Sequence, residues 1–156
     1  MYNAIWHNAL LRGLNMSTTR KSRPDRLTAV LSKSSPFDDI AVIRKGLPYS
    51  TLESLRNYAK LSEATICEAL KIPLRTLARR KSGARMSARE TELILRLGRV
   101  LAEAESVLGT VDKAREWLTT VNTALGGVTP ISLLDTGPGF NEVIDVLHRI
   151  EYGVFS

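Results

Sequence analysis

Residues 61–83 read LSEATICEALKIPLRTLARRKSG. Two short apolar-periodic segments flank a break at Lys71-Ile72-Pro73, because proline cannot continue the helical hydrogen-bond ladder and disfavours helical geometry at the residue before it. Ser82-Gly83 closes the second segment. Short helix, tight turn, short helix are the proportions of a helix-turn-helix. The second helix carries Arg75, Thr76, Arg79, Arg80 and Lys81, and between Lys71 and Arg89 there are seven basic residues and no acidic one. Arg75 and Arg79, four apart, share a helix face, leaving Leu74, Leu77 and Ala78 to face the core.

That chemistry suits DNA. Clustered cations release phosphate counterions and so supply affinity. Arginine reads guanine bidentately from the major groove, and residues near the start of the second helix do the reading in this motif. Arg75, Thr76 and Arg79 are therefore the candidate base readers, and Arg80, Lys81 and Arg85 the candidate phosphate contacts. The plainer alternative is a solvated basic face. The coincidence of the charge run with a helix-break-helix favours DNA.

Outward from this stretch the chain reads as all-α. Ser35-Pro36 starts a helix that Gly46 ends, and residues 26–31 suggest a short helix before it. Ser50-Thr-Leu-Glu53 and Ser87-Ala-Arg-Glu90 both have the spacing of a capping box. The helix opened at Ser87 runs to about Leu108, with Leu93, Ile94, Leu97, Val100, Leu101, Ala104 and Leu108 on one stripe. Part of that stripe is expected in the core. Leu93, Leu97 and Val100 are expected against a second copy, since helix-turn-helix proteins usually read two half-sites as dimers. Beyond Gly109, a helix over residues 112–125 should turn Trp117, Leu118 and Val121 inward. Thr129-Pro130 opens a short helix, Thr136-Gly-Pro-Gly139 forces a turn, and a last helix covers residues 140–150.

The 156 residues are 44% hydrophobic and 24% charged, ordinary for a globular protein. The net charge of +6 is unevenly spread: residues 1–46 carry +5, residues 47–100 +6 and residues 101–156 −5. A basic front and an acidic back point to two surfaces with different partners. The expected division is an arm over residues 1–25, a helix-turn-helix DNA-binding and dimerisation domain over 26–103, and a small helical domain over 104–156. Residues 1–15 lack the basic start and cleavage site of an export signal; they fit a mis-assigned leader, a frayed helix or an arm. No apolar run is long enough to span a bilayer, so no membrane partner is expected and the cytoplasm is the default compartment. A single cysteine, Cys67, excludes an internal disulfide and reads as a small buried hydrophobe.

The acidic half carries a sequence of uncommon features: Trp117-Leu118, then Asn122-Thr-Ala-Leu-Gly-Gly-Val-Thr-Pro130, Leu133-Leu134-Asp135-Thr136 and Arg149-Ile-Glu-Tyr-Gly-Val-Phe155. Their order resembles the toxin-binding domain of the Xre/MbcA/ParS antitoxins, and residues 46–101 resemble the helix-turn-helix those antitoxins carry. The resemblance implies a type II antitoxin that occludes the active site of a RES-domain, NAD-consuming toxin, self-associates and represses its own operon. The bottom-up alternative is a stand-alone dimeric repressor. At the C-terminal end, Arg149, Tyr152, Val154 and Phe155 could anchor a partner or fold back onto the last helix. The resemblance favours the partner, and extends the candidate toxin-binding set to Arg149, Tyr152, Val154, Phe155 and Ser156.

Enzymatic chemistry has little to stand on. His7 and His148 are the only histidines, and His148 is placed to pair locally with Asp145 or Glu151. There is no phosphate loop, HExxH or Gly-x-Ser-x-Gly pattern. No catalytic residue, metal ligand or cofactor is therefore expected. A small hydrolase remains the weakest reading.

Overall fold

The computed structural model describes residues 35–153. The expectations for the N-terminal arm, the helix over 26–31, His7, Val154, Phe155 and Ser156 lie outside that range. Seven α-helices are present among the described residues: α1 (Pro36–Lys45), α2 (Tyr49–Ala59), α3 (Glu63–Leu70), α4 (Leu74–Lys81), α5 (Ala88–Leu108), α6 (Val111–Thr119) and α7 (Gly137–Glu151). Two 3₁₀ turns, Thr123–Leu125 and Pro130–Leu133, lie between α6 and α7.

Local chemistry sets most helix ends. Ser35 and Ser87 each form the full reciprocal capping box, with Asp38 and Glu90. Ser62 caps α3 through the Thr65 N–H. The pattern at Ser50–Glu53 is not used. There α2 begins at Tyr49 behind Pro48, with no side-chain cap, because the chain entering it is held from a distance: the buried Leu47 N–H donates to Thr91 Oγ1 on α5 at 3.1 Å. Thr91→Val keeps the shape but leaves that donor unpaired. It is expected to lower unfolding stability by about 2 kcal/mol, and an unchanged urea midpoint would show that the bond contributes nothing. Beside it, Gly46 has φ +79°, and a Cβ there would lie 2.3 Å from the Met86 carbonyl oxygen. Glycine is required on both counts.

The acidic half departs from the sequence expectation in three places. The helix expected to run to residue 125 stops at Thr119. Asn122 and Val128 then pair through an isolated bridge, and Val121 is exposed rather than inward. The short helix at Pro130 is a 3₁₀ turn. Thr136-Gly-Pro-Gly139 is not a turn before the last helix but its cap and first turn, with Thr136 Oγ1 accepting from Gly139 N–H at 3.1 Å. Proline at the second helical position loses nothing there, because that N–H has no partner within the helix.

One hydrophobic cluster runs from Val42 to Leu147, with α5 at its centre. A second buried line on α5, Thr91, Leu95, Gly98 and Ala102, lies beside the expected stripe, so neighbours cover the helix on more than one side. The division expected at residues 103/104 falls inside this unbroken helix. Leu93, Leu97 and Val100 are at most 2% exposed within a single chain. Their assignment to a dimer contact is therefore corrected: the chain's own core has used them. Polar ties also join the halves, with Tyr58 donating to Glu105 at 2.7 Å and Lys60 3.0 Å from Asp112.

Candidate nucleic-acid interface and partner surface

The turn between α3 and α4 is three residues long. Lys71 adopts the left-handed conformation, Ile72 is buried, and Pro73 occupies the N-cap of α4. Of the eight residues of α4 only Leu77 is fully buried; Thr76 and Arg80 are partly covered. Arg75, Ala78 and Arg79 are exposed together, which brings the two arginines onto one open face. Thr76, expected beside them, sits toward the packed side. Leu74 and Ala78 do not face the core as expected; Leu74 is 58% exposed.

Arg80 is taken by a contact that the spacing did not reveal. Its Nε donates to Glu90 Oε2 at 2.9 Å and its Nη2 to Oε1 at 3.1 Å, with only 15% and 12% of the two side chains exposed. The same Glu90 Oε2 accepts the Ser87 N–H at 2.8 Å. One carboxylate thus caps α5 and anchors the C-terminal end of α4. Burial alone would raise the Glu90 pKa, but the bonds from Arg80 and Ser87, with the Arg80 charge, bring it below the ordinary glutamate value. Arg85 spends part of its guanidinium on the Gly46 carbonyl at 2.6 Å. Lys81 and Arg85 border an open cleft of about 540 Å³ beside the start of α2.

At the other end of the molecule, the His148 ring does not pair with Asp145 or Glu151. Its Nε2 lies 3.3 Å from Glu103 on α5, because α7 packs along α5 and a neighbouring helix offers a closer carboxylate than its own turn. Arg149 pairs with Glu142 at 3.1 Å, both half-exposed. Tyr152, at the end of α7, is 74% exposed. Cys67 is only partly buried; burial, with the Glu63 carboxylate next, pushes its thiol up, away from the thiolate a nucleophile needs. Among the described residues, no three His, Cys, Asp or Glu side chains gather to hold a metal ion, and no helix is long and apolar enough to cross a membrane.

Two family models match this chain. Residues 38–99 match the antitoxin Xre-like helix-turn-helix domain, and residues 103–153 the antitoxin Xre/MbcA/ParS C-terminal toxin-binding domain. Antitoxin Xre of Photorhabdus laumondii is 34% identical over 118 residues, covering 74% of this chain and 80% of that protein. The chain belongs to the Xre/MbcA/ParS antitoxin family. Antitoxin Xre of Yersinia enterocolitica is 37% identical over 116 residues, 73% of this chain and 78% of its own. The Prs ADP-ribosylating antitoxin of Sphingobium sp. strain YBL2 is 30% identical over 146 residues, 87% and 92%. In this antitoxin α2, α3 and α4 lie within the helix-turn-helix match, and α6, the two 3₁₀ turns and α7 within the toxin-binding match.

Proposed function

We propose that this antitoxin neutralises a RES-domain, NAD-consuming toxin by covering its active-site cleft, and represses its own operon as a cytoplasmic dimer bound to operator DNA. The observation that carries the reading is the separation of an exposed cationic α4 face from an acidic half matched by a toxin-binding model. The Sphingobium relative's name associates that antitoxin with ADP-ribosylation. An ADP-ribosyl group is drawn from NAD, which agrees with a toxin of this chemistry.

In this reading Arg75 and Arg79 contact base edges, with Thr76 at the margin of the face. Lys81 and the free part of Arg85 contact phosphates. Arg80, held by Glu90, positions the helix. Dimerisation uses surface other than the buried α5 stripe. Arg149 and Tyr152 begin the toxin contact that Val154, Phe155 and Ser156 continue.

Co-expression with a RES-domain toxin encoded beside this gene, if one is found there, or otherwise with a RES-domain toxin partnered with a related antitoxin, followed by affinity capture, tests the proposal. The expected result is a stable heteromeric complex, restored growth and restored cellular NAD. A captured antitoxin that leaves toxicity and NAD loss untouched, yet still binds operator DNA, would make it a stand-alone repressor instead. Within a complex, Tyr152→Ala is expected to weaken toxin affinity by about 2 kcal/mol, some thirtyfold, with no change in melting temperature. Equal affinity by calorimetry would remove Tyr152 from the interface.

A further inference from the structure

The apolar residue that sequence periodicity assigns to the core, Leu74, is the first residue of α4 and stands mostly in the open. Successive helical residues are about 100° apart, so Leu74, Ala78, Arg75 and Arg79 fall in that angular order across an arc of about 140°. Leu77, Arg80 and Thr76 occupy the opposite side, and all three are at least partly covered. Exposed Lys81 lies about 20° to the far side of Leu74, so the open face carries two apolar and three cationic side chains, with Leu74 and Ala78 stacked one turn apart beside the two arginines.

A single exposed leucine is common and needs no explanation. This one differs in its position and company. It occupies the start of the second helix of a helix-turn-helix, where side chains meet base edges. The stretch from Lys71 to Arg89 has seven basic residues and no acidic one, so the surface that covers it is polyanionic. Within the major groove of DNA the only projecting apolar group is the C5-methyl of thymine. A leucine offers no hydrogen bond to any base edge; its sole favourable contact there is that methyl.

We propose that Leu74, with Ala78 alongside, reads a thymine methyl in each operator half-site, next to the bases that Arg75 and Arg79 contact. The proposal rests on the DNA-binding reading above and sharpens it. The operator contains at least one thymine per half-site that no hydrogen-bonding side chain explains.

The test uses the full chain and a randomised duplex library. The enriched duplex is resynthesised with each thymine replaced in turn by deoxyuridine, which pairs identically but lacks the methyl. At one thymine per half-site, the replacement is expected to weaken wild-type binding about fourfold, the loss of one buried methyl. Leu74→Ala should bind the thymine duplex more weakly and no longer distinguish it from the deoxyuridine duplex at that position. If wild type and Leu74→Ala respond equally to every replacement, the proposal is overturned, whatever the affinity lost. In that case the DNA reading still stands, provided the arginine variants lose binding. A library that enriches no sequence would overturn both.

Discussion

Replacing Arg75 and Arg79 together by alanine is expected to lower specific operator affinity by roughly 2–6 kcal/mol, at roughly 1–3 kcal/mol for each bidentate contact. Both side chains lie on the exposed face of α4 and take no part in its packing. The melting temperature should therefore barely move, as for most surface changes. The two sites are one turn apart on the same face, so the double variant need not equal the sum of the singles. A gel-shift titration on selected and scrambled duplexes separates base reading from charge. The double variant should lose most of the ratio between them. Lys81→Ala should weaken both alike and reduce the slope of log affinity against log salt by about one. Unchanged operator affinity in the double variant would remove α4 as the reading helix.

Glu90→Ala is expected to lower unfolding stability by about 3 kcal/mol. It leaves the Arg80 guanidinium covered without its partner and removes one half of the α5 capping box. Arg80→Ala should cost a similar amount, and the double-mutant cycle should show strong coupling. The pH dependence has a definite sign. The Glu90 pKa is lower in the folded chain than in the unfolded one. Its contribution is therefore complete above the unfolded value of about 4.3, and is lost as pH falls through the folded value. The stability gap between wild type and Glu90→Ala should be constant near neutrality and shrink below about pH 4.3. A gap that persists unchanged into strong acid would mean that Glu90 acts through packing and not charge. Because Arg80 positions α4, Arg80→Ala should also lower operator affinity while leaving the salt slope near its wild-type value. A fall of about one in that slope would return Arg80 to the phosphates.

These results depend on contacts of very different sequence range. Short-range rules placed the helix starts at Ser35 and Ser87, the stops at Gly46 and Gly109, and the break before Pro73. They also put Arg75 and Arg79 on one face. Each depends on residues within about four positions, where helical geometry alone decides. The same rules misread Ser50–Glu53, whose spacing is correct but whose place Pro48 takes. They extended α6 past Thr119 as well, where the pairing of Asn122 with Val128 draws the chain out of the helix.

The longer contacts had no local signature. Arg80 and Glu90 are ten positions apart, and Leu47 and Thr91 are forty-four. His148 meets Glu103 only because two helices lie side by side. Leu93, Leu97 and Val100 form a stripe equally suited to a core or to a second copy, and periodicity does not distinguish the two. Only the packing of the other helices around α5 does.

From the amino-acid order alone, this chain was legible as all-helical, with a cationic helix-turn-helix ahead of an acidic helical segment. Which cations remain available, which apolar side chains are consumed and which, like Leu74, are left outside was decided by the assembled fold. A helix's own period places side chains around its axis, but the neighbours that bury or pair them arrive from distant parts of the chain.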